Sequence, residues 1–282
     1  MPLFSRLQQV PYRGGCGVCR FSDLPMTEAS RAAAYSLCPD AQSVGVVLFP
    51  YLVREPAAHN LSLYACGADY HAVIADALRP VCAQLTADFP AHRFVPLADA
   101  SPLPEVQAAW RCGAGILGSN GLIFDRTYGS FVFIGTILTD LVCTSTPSAL
   151  ETCPDCGACR RACPLGALDD HRTVDTARCL SDLTQSKQPL SPVQEQALRQ
   201  HPLVWGCDTC SLVCPLNRGV PETDNPAFRE NRLTSLALSD VDGLTRKQFL
   251  AKYPDRAFTW RGPKPLIRGL QLHEQSDRKD QK

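Results

Sequence analysis

Cys153, Cys156, Cys159 and Cys163 follow the spacing C-x2-C-x2-C-x3-C, and Pro164 comes directly after them. No other feature restricts so tightly what this chain can fold into. Three thiolates at two-residue intervals wrap one face of a 4Fe–4S cube, small residues such as Gly157 and Ala158 let backbone N–H groups approach the sulfurs, and the fourth ligand comes from far along the chain. A second set supplies it: Cys207, Cys210 and Cys214, followed by Pro215, repeat the terminal C-x3-C-P, and Cys179 lies between the two runs. Eight cysteines make two cubes. Because the last cysteine of each run in a two-cluster module ligates the other cluster, Cys153, Cys156, Cys159 and Cys214 are assigned to the first, and Cys163, Cys179, Cys207 and Cys210 to the second. Cys179 stands in for the first member of an ordinary second run. Four-cysteine zinc ribbons also use C-x2-C pairs, but the x2-x2-x3 spacing with its proline favours iron–sulfur.

The chain holds fifteen cysteines in 282 residues, an odd number in a chain too long to need disulfide staples. The opening MPLFSRLQQV has too short an apolar run for a secretory signal, and no segment approaches the roughly 20 apolar residues that span a bilayer. A soluble protein in the reducing cytoplasm, with no membrane partner, is expected. Lys plus Arg and Asp plus Glu are both 28, so no overall basic field draws the chain to nucleic acid, which leaves room only for a local basic groove. Cys16 and Cys19 form a lone C-x2-C pair, which could be a thiol site but without a partner pair reads as incidental, and the scattered Cys38, Cys66, Cys82, Cys112 and Cys143 read best as buried small hydrophobes.

Residues 16–38 read as a loop followed by a short helix, and Ser43–Pro50 is a continuous apolar run typical of a strand in a covered sheet. Asp69–Asp88 has apolar residues at helical spacing, with Pro80 expected to kink or divide it, and Arg93–Leu97 reads as the next strand. Pro104–Cys112 reads as a helix starting at a proline, after which Leu122–Phe124 and Ser130–Leu138 read as paired strands. Residues 1–142 are thus expected to form an α/β domain, 143–220 a small module held by metal rather than by a core, and 221–282 a polar extension ending in a disordered tail. The fold class is α+β: an α/β domain followed by a bacterial-ferredoxin-like double-cluster module. Two close clusters pass single electrons onward and do no bond chemistry, so the upstream domain is expected to hold the electron acceptor. Gly113-Ala-Gly115-Ile-Leu-Gly118 matches a dinucleotide fingerprint in letters only, because it follows a helix rather than a strand.

The order of motifs resembles the cobalamin-dependent epoxyqueuosine reductases over about Ser43 to Asn217. The marks are Tyr64-Ala-Cys-Gly-Ala-Asp-Tyr-His71, Asp99-Ala-Ser-Pro102 with Glu105, Gly113-Ala-Gly-Ile-Leu-Gly-Ser-Asn120, Gly129-Ser-Phe-Val-Phe-Ile-Gly135, Thr139-Asp-Leu141 and the cluster module. In that family the cysteine between the runs also stands sixteen positions after the fourth, as Cys179 does after Cys163. The resemblance implies a base-off cobalamin held between the α/β domain and the cluster module and reduced through the clusters to nucleophilic cobalt(I), with Tyr64, Tyr70, His71, Asn120 and Ser130 as its pocket. It implies Asp99 as the acid that protonates the leaving oxygen when an epoxide becomes an alkene, with a carboxyl raised by burial beside the corrin. His71 is read as a pocket or packing residue rather than a cobalt ligand, and His171 as solvent-exposed.

The implied activity is reduction of epoxyqueuosine in tRNA, fed by a low-potential donor such as flavodoxin or ferredoxin. Cys66 and Ala68 stand where family members usually carry arginines and Ser119 where they carry a lysine, which removes cations that would contact phosphate; Asp182 stands where they carry a tyrosine. The chain also stops without the helical-repeat extension that many members use on tRNA. Two other readings follow from the same residues: an electron-transfer partner protein without corrin, and a cobalamin reductase for a small molecule.

Overall fold

The computed structural model describes residues 2–54 and 58–280. The chain divides into two compact units: unit 1 is Met1–Leu52, Tyr70–Asp155 and Leu216–Asn225, and unit 2 is Val53–Asp69, Cys156–Pro215 and Pro226–Lys282. The architecture mixes helices and strands, with every named strand in unit 1.

Unit 1 runs α1 (Pro2–Leu7), β1 (Cys16–Arg20), α2 (Glu28–Leu37), β2 (Ser43–Pro50), α3 (Tyr70–Asp88), β3 (Phe94–Ala98), α4 (Glu105–Arg111), β4 (Ile116–Leu117), β5 (Ile123–Phe124) and β6 (Val132–Thr139). Four strands form one antiparallel sheet in the order β1-β2-β6-β3, while β4 and β5 pair apart from it. All eight residues of β2 are buried, because helices cover both sheet faces. Val44, Val46 and Leu48 pack with Ala34 of α2 and Ala108 and Ala109 of α4. On the opposite face α1 and α3 lie against the sheet. There Gly135 is required: a Cβ would come within 2.7 Å of Ile74 and 2.8 Å of Phe49, so only glycine lets α3 seat this close.

Three local expectations change. Residues 16–20 are a strand rather than a loop; the Cys-Gly-Val-Cys run carries a weak β signal, but pairing with β2 decides it, and Thr146 covers the outer edge by exchanging hydrogen bonds with Val18. Helix α3 runs unbroken through Pro80, whose ring lies on the exposed side. Residues 122–124 do not pair with 130–138: Asp125 and Gly129 close a short bridge, after which β5 pairs with β4 and β6 enters the centre of the main sheet.

Unit 2 contains α5 (Ala158–Ala162), α6 (Leu180–Gln185), α7 (Pro192–Gln200), α8 (Thr209–Leu212), α9 (Pro226–Arg229), α10 (Leu238–Val241), α11 (Arg246–Lys252) and α12 (Lys264–Asp280). Its core gathers Leu61, Trp205, Val241, Phe249, Phe258, Leu266 and Leu270. The region beyond Val220, expected to be a polar extension, therefore supplies much of a hydrophobic core, and its tail is helical as far as Asp280. Apolar residues there come in short groups of one to three among polar ones, so the region reads polar on average, whereas helical spacing collects them on one side.

Truncating fully buried Phe249 to alanine is expected to cost about 3–5 kcal/mol in chemical unfolding followed by circular dichroism. A polar, unpacked C-terminal region would lose almost nothing.

Candidate functional site

None of the fifteen cysteines is joined in a disulfide. The first run begins in unit 1 with Cys153 and continues in unit 2. Cys153 is held by backbone pairing with β4, its N–H donating to the Leu117 carbonyl at 2.9 Å. The Ser119 N–H approaches its sulfur at 3.2 Å and the Ser119 hydroxyl at 3.1 Å. The glycine-rich segment thus ends by presenting donors to a cluster cysteine, a role its letters did not announce. In unit 2, Gly157 adopts a left-handed φ of 72° at the start of α5, and α5 packs on α8, which brings the two cysteine-bearing helices together. The Ala167 N–H donates to Cys163 Sγ at 3.2 Å.

Burial pushes the Cys179 thiol up first, and the neighbouring Cys207 and Cys163 sulfurs push it further. Cys179, which stands between the two runs in sequence, therefore lies near enough to Cys163 and Cys207 to feel their charge. Cys207 is likewise pushed up by burial. A thiolate in such a site is costly unless bound iron supplies the opposing charge. Among the described residues no three Cys, His, Asp or Glu side chains gather on one point as ligands of a single ion would; a cube spreads its ligands around four irons. The donor set and its N–H and O–H partners fit iron–sulfur clusters.

Unit 1 carries a second constellation at the end of β3. Asp99 sits just past that strand with a left-handed φ of 56°, an uncommon conformation for a residue with a side chain. The Tyr70 hydroxyl donates to Asp99 Oδ2, and His71 Nε2 lies 3.4 Å from the same oxygen. The Tyr70 ring stacks on Phe133 of β6 at 4.2 Å and on His71 at 4.1 Å. His71, read from sequence as a pocket or packing residue, is in addition a direct partner of Asp99. The carboxyl expected to be raised is instead held below the ordinary aspartate range, first by the His71 hydrogen bond and then, against some burial, by Tyr70; its side chain is 63% exposed. The raised carboxyl is Glu105, which burial pushes up to about 7, with Ser101 donating to it at 3.0 Å.

Of the other residues expected in the cobalamin pocket, Asn120 is buried in unit 1, its Oδ1 accepting from the Leu122 N–H at 3.3 Å and its Nδ2 without a partner among the described residues. Ser130, also in unit 1, exchanges two 2.8 Å hydrogen bonds with Asn217. Tyr64 belongs to unit 2, where Gln185 approaches its hydroxyl at 3.4 Å. His171 is exposed in the loop it shares with Asp169, as expected. Sequence reasoning missed Arg256: its guanidinium donates to the Cys66 and Gly67 carbonyls, both at 2.9 Å, so a cation from a distant segment stands beside the positions that lack arginine. Nothing local in sequence joins residues 190 apart.

Residues 152–217 match the 4Fe-4S double cluster binding domain, and residues 31–100 match the family described as epoxyqueuosine reductase QueG, DUF1730. The epoxyqueuosine reductase of Listeria monocytogenes is 33% identical over 203 residues, covering 72% of this chain and 53% of that protein. This chain thus spans about half the length of that relative. Epoxyqueuosine reductase from Streptococcus thermophilus superposes with a TM-score of 0.82 at 22% identity over 97% of this chain and 81% of the other. An epoxyqueuosine reductase crystallised with an epoxyqueuosine-modified tRNA-Tyr stem loop superposes with a TM-score of 0.79 at 23% identity, over 96% and 79%. These likenesses show the fold.

The Glu105 carboxyl makes a pH prediction. Its folded value of about 7 lies above the ordinary 4.5, so the stability it contributes is full below that ordinary value and is lost as pH rises through about 7. Relative to the parent, Glu105→Gln is expected to gain up to about 3 kcal/mol between pH 5 and pH 7.5, read as the change in thermal midpoint between the two conditions.

Proposed function

This chain belongs to the epoxyqueuosine reductase family, and on that footing we propose that it reduces epoxyqueuosine to queuosine in tRNA with two 4Fe–4S clusters and a cobalamin. Epoxyqueuosine reductases are cobalamin-dependent oxidoreductases. The observation that supports the reading is that the Cys163 and Cys207 sulfurs lie near enough to act on the charge of Cys179, as the missing member of the truncated second run would require. In this reading residues 1–142 carry cobalamin and substrate and 143–220 form the ferredoxin-like module. Cys153, Cys156, Cys159 and Cys214 hold one cluster, and Cys163, Cys179, Cys207 and Cys210 the other. A low-potential carrier of the flavodoxin or ferredoxin class supplies electrons. Among the described residues no helix is long and apolar enough to cross a membrane.

The residues present fit the cofactor. The unpartnered Asn120 amide is a buried donor that a ligand carbonyl would satisfy, and the Tyr70 ring, backed by Phe133, is a rigid apolar wall. When bound, cobalamin supplies a cobalt centre reducible one electron at a time. Converting an epoxide to an alkene consumes two electrons and two protons and releases water. The chain's own task is to hold and move those protons. Tyr70 Oη and His71 Nε2 both bear on Asp99 Oδ2, so the carboxylate waits ionised with proton-bearing partners in place. Covering this exposed carboxylate with ligand removes its water, which raises its proton affinity, and a proton passes to Oδ2 and on to the leaving oxygen. Half-buried Glu105, tied to Ser101, holds the turn that carries Asp99.

Anaerobic expression and reconstitution with iron, sulfide and cobalamin should give about eight irons and one cobalt per chain, and activity on epoxyqueuosine tRNA. Iron without cobalt would leave an electron carrier. In the loaded protein Asp99→Asn should keep both metals and lose roughly 100-fold or more in turnover; a small-molecule reductase would instead show no salt-dependent tRNA binding. Cys179→Ser should lower the iron content toward about four per chain, whereas a bystander cysteine would leave it unchanged.

A further inference from the structure

His201 follows α7 and is 8% exposed. The Leu203 N–H donates to its Nδ1 at 3.2 Å. A peptide nitrogen always carries its hydrogen, so Nδ1 accepts and the ring proton sits on Nε2. The Leu203 carbonyl lies 3.3 Å from the same Nδ1, but a proton placed there would collide with the Leu203 N–H. Nε2 is 3.3 Å from Cys207 Sγ and 3.5 Å from Thr209 Oγ1. Thr209 Oγ1 is itself 3.3 Å from the Cys207 sulfur. As a free thiol Cys207 donates to that hydroxyl; as a thiolate on iron it has no hydrogen to give, and the hydroxyl turns to donate in its place.

Between these two donors lies Asp208, buried and accepting from the Ser62 hydroxyl at 2.6 Å and the Leu63 N–H at 2.9 Å. It pins the turn 207–209 to residues 62–63 and so fixes the distances above. Neither His201 nor Thr209 belongs to the motifs singled out in the sequence.

We infer that His201 and Thr209 are redox-tuning residues, which donate hydrogen bonds to the Cys207 sulfur and raise the reduction potential of the cluster that Cys207 ligates. The inference rests on the cluster assignment proposed above. A reduced cluster carries one more negative charge than the oxidised one, and much of it resides on sulfur. Donors aimed at a ligand sulfur therefore favour the reduced state. His201 acts through Cys207 and takes no part in bond chemistry, so its signature is electrochemical.

The test uses the full chain, reconstituted anaerobically, with each cluster's midpoint potential followed by electron paramagnetic resonance. His201→Phe and Thr209→Val are each expected to keep about eight irons and to move one midpoint to more negative potential, leaving the other in place. His201→Gln, whose amide still donates, is expected to restore the parent value. Parent midpoints in a fully loaded His201→Phe protein would overturn the inference. Should that variant fail to load, unchanged midpoints in Thr209→Val overturn it equally. A parent chain that takes up no iron at all overturns the cluster reading together with this one.

Discussion

The pairing of β6 with β2 on one side and β3 on the other is the constraint on which the Asp99 site depends. Gly135 of β6 stands opposite Val47 and Ala98 in one row, so the register places the end of β3, and with it Asp99, beside the residues that receive α3. The same strand puts Phe133 under the Tyr70 ring. A slip of one residue would turn Phe133 to the other face and replace Gly135 with a side chain where α3 makes its closest approach. Burial on both faces prevents that slip, because every alternative register would expose apolar residues of β2 or drive side chains into the helices.

Unit 2 works under a different constraint. Its elements are short, and among the described residues five of its eight helices have six residues or fewer, so the backbone has few ladders to rely on. What orders it is an aromatic core around Trp205, Phe249 and Phe258, a buried carboxylate at Asp208, and thiols whose ionisation burial resists. Bound clusters offset that resistance, which couples metal loading to the order of this region.

At the Asp99 site two neighbouring carboxyls are driven in opposite directions. Hydrogen bonds from His71 and Tyr70 hold Asp99 below the ordinary aspartate range, while desolvation pushes Glu105 up to about 7. In the proposed function such separation gives like groups unlike roles: the exposed carboxylate takes up and delivers a proton as its surroundings change, and the half-buried carboxyl serves the turn beneath it. In the proposed function, hydrogen bonds to a single acceptor atom set proton supply at Asp99 Oδ2, and in the inference drawn from His201 and Thr209 they set electron supply at Cys207 Sγ.

The spacing of Cys153 to Cys163, the echo at Cys207 to Cys214, the strand at Ser43–Pro50 and the helix ending at Asp88 were legible in sequence, because each is a local pattern whose chemistry or periodicity is complete within a short window. Less local facts were not. Residues 16–20 became a strand only through pairing with β2, and residues 123–124 and 132–139 found separate partners because turn closure at Asp125 and Gly129 does not dictate which edge a strand meets. The polar-looking C-terminal region proved to be core material, since windowed hydropathy cannot see side chains that meet only after helices form. The sequence by itself determined the cluster chemistry, and the resemblance of its motifs to a family pointed to Asp99 as the expected acid. Tertiary structure alone decided that His71 faces Asp99, that Glu105 rather than Asp99 carries the raised carboxyl, that Arg256 reaches the Cys66 loop, and that His201 faces Cys207. Burial and through-space charge depend on distances between residues that covalent order leaves free.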